Sequence, residues 1–358
     1  EFALAANGII GLETALPLAI TYLVKPGILT LEELLIKWVL NMEKEVFIKR
    51  HSLFHRNPAN PILDASMWPY KVNSVFNPGA IETKGEIILL VRVEDLRGIS
   101  HFSLARSKNG VSDWVIEPHP AMVPEPEAHP EEVWGIEDPR IVWIEEKQKW
   151  YITYTAYSKG GPLVALAETK DFNTFKRLGP VMPPEDKDAA LFPKRFDGRW
   201  AMLHRPVTTY FQGRGHIWLS FSPDMKHWGD HQIILEAREG AWWDASKIGL
   251  GPPPMETDEG WLILYHGVRQ TAAGSIYRLG LALLDLDDPR KVIKRGDTWI
   301  FGPEEPYERI GDVDNVVFSC GWVYNKDDDT LKMYYGAADT SICLAEAKLK
   351  DLLDYLLK

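Results

Sequence analysis

The hydrophobic spacing along the chain is first helical and then strand-like. Residues 29–40 (LTLEELLIKWVL) carry apolar side chains at helical intervals, and Thr30 followed by Glu33 forms a capping box at their start. From Asn73 onward, runs rich in β-branched and aromatic residues alternate with Gly, Pro, Asp and Asn, a pattern typical of strands and turns. The clearest runs occupy residues 86–93, 150–157, 199–206, 261–268 and 331–338. The pattern predicts a short helical N-terminal extension, an all-β domain, and a C-terminal helix in the last segment, AEAKLKDLLDYLLK.

Two recurring motifs divide the all-β part into units. Three strand runs are followed by a Ser or Thr, a turn and an aromatic residue, in SKNGVSDW, TKDFNTF and SPDMKHW. A polar motif precedes each run, and its anchors, spaced 50–70 residues apart, are Asn77, Asp138, Asp188, Asp244 and Asp314. A repeat of this length with several strands is typical of propeller blades. The sequence therefore predicts a five-bladed β-propeller, with the five motifs around one pocket near its axis.

Composition and charge narrow the classes of ligand. The chain has 358 residues, of which 45% are hydrophobic, and it contains 14 Trp. Aromatic side chains stack on the apolar faces of sugar rings, so this content favours a carbohydrate ligand. The formal net charge of -11 argues against nucleic acid and anionic membranes as partners. An anion site, if present, must be built locally from a few basic side chains.

Cysteine content and hydropathy bear on location. Cys320 and Cys343 form neither a metal-binding spacing nor a disulfide framework, which is typical of a reducing cytosol. The apolar stretch at residues 14–24 is too short to span a bilayer and lacks the basic region of a signal peptide. We therefore expect a cytoplasmic protein with no bound metal, and the sequence leaves homo-oligomerisation open.

The opening segment differs from the rest of the chain. Residues 7–38 (NGIIGLETALPLAITYLVKPGILTLEELLIKW) resemble the C-terminal tail of dihydroorotases, without any metal-binding motif of that family. Met42 then begins a stretch that is typical of a cytosolic N-terminus. We interpret residues 1–41 as a fused or foreign segment and residues 42–358 as the propeller catalytic domain. The alternative is a genuine helical extension used for dimerisation.

The motif GIEDPR (135–140) supplies a candidate acid, Asp138. Cleavage of a glycosidic bond needs an acid for the leaving oxygen and an attacking group on the opposite face of the sugar. Pro139 predicts an extended backbone at Asp138. An apolar, Trp-rich pocket would raise the pKa of this carboxyl, as an acid at neutral pH requires.

The later units supply cations and donors in place of a second carboxylate. These residues are Lys187, Arg205, Lys247, His266 and Tyr277. A water nucleophile needs a carboxylate base, whereas phosphate needs positive charges and hydrogen-bond donors. The residue types therefore favour phosphorolysis over hydrolysis. Singly, each also fits a structural role, as a solvated charge, a core histidine or a strand aromatic.

From about Asn57 to its end, the chain resembles the β-mannoside phosphorylases of glycoside hydrolase family 130. The motifs EDPR, KDAALFP, HRP, KIGLGPPP and YHG occur in the order found in that family. The resemblance implies a five-bladed propeller that works with inversion and without a metal or organic cofactor. Its substrates would be a manno-oligosaccharide and inorganic phosphate, and its product α-mannose 1-phosphate, in a reversible reaction.

The same resemblance implies roles for individual residues. Asp138 would be the general acid, acting through a sugar hydroxyl. The mannosyl unit would be held by Asn77, Arg92 and Asp339. Phosphate would be bound by Arg205, Lys247, His266 and Tyr277, with Lys187 beside them.

Three alternatives remain open at this stage. The first is a mannosidase of the same family, in which a carboxylate such as Glu239 or Asp244 would activate water. The second is a non-catalytic propeller that binds sugar on its Trp residues. The third is an arabinanase- or fructosidase-like propeller, which would need a carboxylate triad that the sequence does not reveal. The glycosidic linkage, the acceptor sugar and the chain-length preference are also left open.

Overall fold

The computed structural model describes residues 20–27, 30, 53–207 and 214–358. The chain divides into two compact units, Glu1–His51 and Ser52–Lys358. In the first unit, a π-helix is described at Ile20–Val24. The predicted helix over 29–40 and the predicted boundary after residue 41 lie outside the described residues. Among the helices that are described, none is long and apolar enough to cross a membrane.

The second unit begins with β1 (His55–Arg56) and contains the first two blades of the propeller. The strands of blade one are β2 (Ser74–Thr83), β3 (Glu86–Glu94), β4 (Ser100–Ser107) and β5 (Val115–Ile116). Those of blade two are β6 (Ile136–Ile144), β7 (Lys149–Ser158), β8 (Gly161–Thr169) and β9 (Phe175–Met182). Within each blade, strands adjacent in sequence pair with one another in antiparallel fashion. Short 3₁₀ turns lie between strands at Ala65–Met67, Pro130–Glu132 and Glu145–Lys147.

Blades three and four repeat this plan. The strands of blade three are β10 (Asp186–Phe196), β11 (Arg199–Pro206), β12 (Ile217–Ser222) and β13 (Gly229–Leu235). Those of blade four are β14 (Lys247–Leu250), β16 (Gly260–Thr271), β17 (Gly274–Leu284) and β18 (Val292–Arg295), with the short β15 (Met255–Thr257) paired to β16. The three turn motifs found in the sequence connect the third and fourth strands of blades one to three. In one of them the Thr169 hydroxyl donates to the carbonyl of Thr174 and closes the turn.

Blade five closes the ring with the two ends of the second unit. Its strands are β19 (Val317–Asn325), β20 (Thr330–Ala337) and β21 (Ser341–Lys348), and β1 pairs with β21 as its outermost strand. A buried ion pair supports this closure, because Arg56 of β1 contacts Glu308 at 2.7 Å. Glu308 lies in the short helix α1 (Pro306–Arg309). The predicted five-bladed all-β propeller is confirmed.

The hydrophobic core is divided among the interfaces between blades. Five clusters of buried side chains each join one blade to the next, around the whole ring. Edge-on aromatic contacts mark several of these interfaces, such as Phe102 with Tyr154 and Phe192 with Trp261. Strands buried on both faces read as near-continuous hydrophobic runs, which explains why the runs were visible in the sequence. Burying each large apolar side chain contributes about 1.5–3 kcal/mol.

The chain ends in a helix, α2 (Leu349–Leu357). Leu349, Leu352 and Leu356 form its buried face and join the core between blades four and five. The predicted C-terminal helix is confirmed, although it starts later than the segment AEAKLKDLLDYLLK because the first residues of that segment complete β21.

A β-bulge recurs in the innermost strand of the first three blades. Asn77, Asp138 and Asp188 sit at these bulges with φ of 46°, 54° and 54°, next to register shifts in β2, β6 and β10. The extended backbone predicted at Asp138 is therefore wrong. A bulge leaves one residue unpaired, and Asp and Asn tolerate the left-handed conformation better than most residues. The motifs thus lie within the innermost strand, and the predicted runs form the second strand.

Candidate active site

The structure brings all nine predicted site residues to one cavity of about 440 Å³ near the axis of the propeller. They are Asn77, Arg92, Asp138, Lys187, Arg205, Lys247, His266, Tyr277 and Asp339. The predicted Trp-rich pocket is wrong, since no Trp is among the described lining residues. The lining is instead dominated by charged side chains. Asp244 and Asp314, two of the five predicted motif anchors, do not line the cavity, because they precede β14 and β19 and lie outside the bulges.

Four residues, Asn77, Arg92, Asp138 and Asp339, form what we name the acid half of the cavity. Arg92 donates from Nη1 to Asp138 and from Nη2 to Glu137, each at 3.0 Å. Asn77 donates from Nδ2 to the same Asp138 oxygen, also at 3.0 Å. Arg92 itself is fixed by Ser100 at 3.0 Å. Asp138 is therefore held in one orientation by donors from blade one.

The pKa of Asp138 lies below its ordinary value. Burial favours the neutral carboxyl, but the charges of Arg92, Lys187 and Arg140 and the hydrogen bond from Asn77 outweigh it. The raised pKa predicted from the sequence is therefore wrong. Asp138 is a carboxylate at neutral pH in this arrangement, and a further negative charge nearby would be needed to make it an acid.

Asp339 has the opposite electrostatics. Burial raises its pKa to about 7, because the favourable charge of Arg92 is offset by repulsion from Asp138 and Glu137. It follows Ala338 at the end of β20 in the left-handed region, with φ of 50°. A neutral carboxyl is both a hydrogen-bond donor and an acceptor, which suits a sugar hydroxyl.

Four further residues, Arg205, Lys247, His266 and Tyr277, form what we name the cationic half. They come from four strands, β11, β14, β16 and β17. The His266 ring stacks on Tyr277 with centroids 5.8 Å apart, and Lys247 Nζ lies 5.7 Å from the centre of the Tyr277 ring. Lys247 forms no ion pair with any described residue, and its pKa is lowered by burial and by repulsion from Arg205. A cation in this position attracts an anionic ligand.

Asp188 is a functional residue that sequence reasoning identified only as a motif anchor. It is 2% exposed, and its carboxylate accepts from Arg205 Nε at 2.8 Å and lies 3.5 Å from His266 Nε2. Arg140 approaches its other oxygen at 3.4 Å. Although burial favours the neutral acid, these neighbours hold the pKa of Asp188 well below its usual range. Asp188 thus orients two members of the cationic half. Its position beside Lys187 in the KDAALF motif was the one sequence signal for such a role.

Two buried polar atoms at the cavity lack a partner among the described residues. They are Oδ1 of Asn77 and Nδ1 of His266. Burial lowers the pKa of His266 to about 3, so its ring is neutral at physiological pH. With Nε2 facing the Asp188 carboxylate, the free ring nitrogen is an acceptor.

Lys187 lies between the two halves. Its Nζ is 3.0 Å from Glu137 Oε2, and the same glutamate contacts Arg92. Burial disfavours the charge on Lys187, but Glu137 and Asp138 outweigh it and raise its pKa. Lys187 is thus already matched by a carboxylate, unlike Lys247.

The carboxylates considered for a water-activating base lie elsewhere. Asp244 is fully buried and contacts Arg238 at 2.9 Å and Arg295 at 2.7 Å. Glu239 is exposed and contacts Arg214. Neither lines the cavity. Within the described part of the chain, His, Cys, Asp and Glu side chains form no group that could hold a metal ion.

Comparison with known proteins identifies the family of this chain. The family described as β-1,4-mannooligosaccharide phosphorylase matches residues 50–358. The β-1,4-mannooligosaccharide phosphorylase of Ruminococcus albus is 34% identical over 307 residues, covering 84% of this chain and 90% of that protein. A structure of β-1,2-mannobiose phosphorylase from Listeria innocua superposes with a TM-score of 0.76 at 32% identity, covering 85% of this chain and 99% of that one. The chain belongs to glycoside hydrolase family 130.

The same family also contains hydrolases. One similar structure comes from work on glycoside hydrolases of this family that target β-1,2 mannosidic linkages in Candida mannan. It superposes with a TM-score of 0.72 at 26% identity, covering 83% of this chain and 94% of that one. The opening segment has a separate similarity. A dihydroorotase of Acetivibrio thermocellus is 58% identical over 53 residues, which is 15% of this chain and 12% of that protein. The resemblance of this segment to a dihydroorotase is therefore confirmed, over a small part of either chain.

Proposed function

We propose that the protein is an inverting phosphorylase that cleaves β-mannosides with inorganic phosphate and releases α-mannose 1-phosphate. The observation that carries the proposal is the cationic half of the cavity. Arg205 and Lys247 both face this half, Asp188 is the carboxylate that attracts them, and Lys247 forms no ion pair with a described residue. Hydrogen phosphate brings the negative charge that these cations attract.

The alternative nucleophile, water, fits this half less well. A base that activates water must be a carboxylate with a suitable pKa and room for the water molecule. Glu185, Asp186 and Asp188 also line the cavity, and of these Glu185 is exposed, while Asp186 is buried and occupied by His204 and the Arg205 amide. Asp188 is the buried carboxylate nearest the cations, and two arginines and a histidine surround it. These neighbours hold its pKa low, so it is a poor base. The mannosidase alternative is thus less well supported than phosphorolysis.

The proposed reaction divides between the two halves. A phosphate oxygen attacks C1 of the mannosyl unit from the cationic half, the bond from C1 to the bridging oxygen breaks, and its electron pair stays on that oxygen. Asp138 supplies the proton for this oxygen, through a sugar hydroxyl as the family resemblance implies. Hydrogen phosphate brings the proton that restores Asp138, so the products are mannose 1-phosphate and the shortened sugar. Attack opposite the leaving oxygen inverts a β-linkage to an α-phosphate.

Binding of phosphate also accounts for the charge state of Asp138. Arg92, Lys187 and Arg140 lower its pKa. A phosphate dianion in the cationic half of the same cavity would oppose their effect, since nearby negative charge favours the neutral acid. In our proposal Asp138 is therefore protonated and acts as a general acid only when phosphate is bound. This would limit hydrolysis of the β-mannoside by water.

The test is a panel of β-1,4- and β-1,2-linked mannobioses and mannotrioses, each incubated with and without phosphate. We expect mannose 1-phosphate only with phosphate, unchanged by a metal chelator, and β-mannoside synthesis when mannose 1-phosphate and an acceptor are supplied. Equal release of free mannose without phosphate would instead support a mannosidase. Binding without turnover on every substrate would support a sugar-binding propeller.

A further inference from the structure

Two large aromatic side chains are exposed beside the cavity. Trp134 is 44% exposed and Tyr157 is 37% exposed. Their rings meet edge to face, with centroids 5.3 Å apart and planes at 72°. We name this pair the aromatic platform. Large apolar surface of this kind, when left in water, commonly marks a binding site.

The backbone under the aromatic platform is firmly held. The Trp134 amide donates to the Tyr157 carbonyl at 2.9 Å, and the Tyr157 amide donates to the Gly135 carbonyl at 3.0 Å. The loop before Trp134 is anchored by Glu132, which is fully buried. Glu132 accepts from Arg177 at 3.0 Å and from Tyr154 at 2.8 Å. The two rings are therefore presented in a fixed position, as a preorganised binding surface requires.

Tyr157 of the aromatic platform adjoins the cavity, although neither aromatic residue is among the described residues that line it. Tyr157 pairs with Pro162, which lines the cavity. Lys187, another lining residue, has its Nζ 6.0 Å from the centre of the Tyr157 ring. Trp134 immediately precedes the part of blade two that carries Asp138, because β6 starts at Ile136. The platform thus belongs to the blade that supplies the acid, whereas the cationic half comes from blades three and four.

A comparison with another exposed tryptophan sharpens this. Trp242 is 43% exposed, but the Arg238 guanidinium lies over its ring at 4.5 Å from the centroid. For Trp134 the described ring contact is the edge-to-face one with Tyr157. The face of Trp242 is therefore covered by a cation, and Lys187 lies more loosely over the ring of Tyr157. No cation is described over the ring of Trp134, which makes Trp134 the better candidate for stacking a ligand.

We propose that the aromatic platform binds a sugar ring of the leaving-group part of the manno-oligosaccharide. This rests on the proposed function, because the acid half must protonate the leaving oxygen and the leaving sugar must then lie on the side of Asp138. The apolar face of a pyranose ring stacks on an aromatic face. Trp134 and Tyr157 are specificity-determining residues in this proposal, and they favour a sugar leaving group over a small alcohol.

The experiment compares Trp134→Ala with Trp143→Ala. Trp143 lies in the same blade at the far end of β6, where it packs on Trp150, so it is a matched control for removing an indole. In phosphorolysis of β-1,4- and β-1,2-mannotriose, we expect Trp134→Ala to raise KM for the oligosaccharide about 3–10-fold, the loss of one stacking contact. KM for phosphate should not change. Trp134→Phe should recover part of the loss, and Trp143→Ala should leave both constants as in the wild type.

A second measurement separates this proposal from the proposed function. Binding of mannotriose without phosphate, followed by calorimetry, requires no turnover. If the wild type binds but does not phosphorolyse, and Trp134→Ala binds about 3–10-fold more weakly, the platform stands and the phosphorylase function fails. If the wild type phosphorolyses and Trp134→Ala keeps normal KM and affinity, the platform is overturned. A matching loss for oligosaccharide and phosphate, with a lowered melting temperature, also overturns it, since that would be a folding defect.

Discussion

The acid half and the cationic half of the cavity belong to the same ring of blades yet differ in how their charges are matched. In the acid half Arg92 faces two carboxylates, Glu137 and Asp138, each at 3.0 Å. In the cationic half Arg205 shares Asp188 with Arg140, and Lys247 forms no ion pair with a described residue. One half is rich in negative charge and the other in positive charge.

This difference shows how a repeated fold can bind two unlike substrates. The bulge at Asn77, Asp138 and Asp188 is the same local structure in three blades. What changes is the number of arginines around each polar side chain. Matched charges with amide and carboxyl oxygens suit neutral sugar hydroxyls, whereas unmatched cations suit phosphate. Each half can therefore be tested by removing one group and asking which substrate is affected.

The largest effect is expected for the acid itself. Asp138→Asn keeps the size of the side chain but cannot deliver a proton. We expect kcat with mannobiose to fall by about 10²–10⁴, because general acid catalysis contributes about that much. Wild type and variant should be compared in steady-state assays with saturating phosphate.

A good leaving group provides the control for Asp138. A nitrophenyl β-mannoside needs little protonation, so the variant should regain part of its rate on that substrate. An equal proportional loss on both substrates, together with a lower melting temperature, would show a structural role. Glu137 would then be the next candidate for the acid.

A smaller effect should distinguish the two lysines. Lys247→Ala removes an unmatched cation, and we expect KM for phosphate to rise about 10–100-fold, which corresponds to one lost charge-assisted contact. Lys187→Ala removes a cation that Glu137 already matches, so KM for phosphate should rise much less. Initial rates at varied phosphate and fixed mannobiose measure both.

The reverse order of effects would contradict the comparison. It would mean that Lys187 leaves Glu137 and turns to phosphate when substrates bind. The role predicted for Lys187, a phosphate contact beside the other four residues, would then be the correct one.

The fold was predictable because its signals are local and repeated. Strands buried on both faces give runs such as residues 86–93 and 261–268, and each turn motif has its own hydrogen-bonding residues. The N-terminal strand of blade five was not predictable, because β1 has two residues and pairs with β21 at the other end of the chain. Nothing in so short a segment signals a long-range partner.

The membership of the site was predictable, but its electrostatics were not. Residue types and motifs indicated seven of the nine side chains at the cavity, and the family resemblance added Arg92 and Asp339. The pKa of Asp138 depends on Arg92, which lies in another blade, and on Arg140, two positions along the chain. The backbone at Asp138 depends on a bulge that Pro139 does not signal. The pKa and the backbone conformation of Asp138 depend on distances between strands, and these distances cannot be read from the spacing of residues in the sequence.

The last expected effect, similar in free energy to that for Lys247, concerns stability and contrasts one aspartate from each side of the cavity. Asp339 has an ordinary pKa of 3.8 when unfolded and about 7 in the folded protein. Between these values the folded state binds the extra proton, so the wild type loses stability as pH rises through this window. Asn does not ionise, so the free energy of unfolding of Asp339→Asn, relative to that of the wild type, should rise by about 1–3 kcal/mol from pH 5 to pH 8.

Asp188 is the matched control, because its folded pKa is lowered and its stabilising effect is fully present at both pH values. Asp188→Asn should therefore be destabilised by a similar amount at pH 5 and pH 8. Denaturant unfolding at the two pH values measures both variants, and a parallel pH dependence for the two would contradict the opposite electrostatics of the two halves.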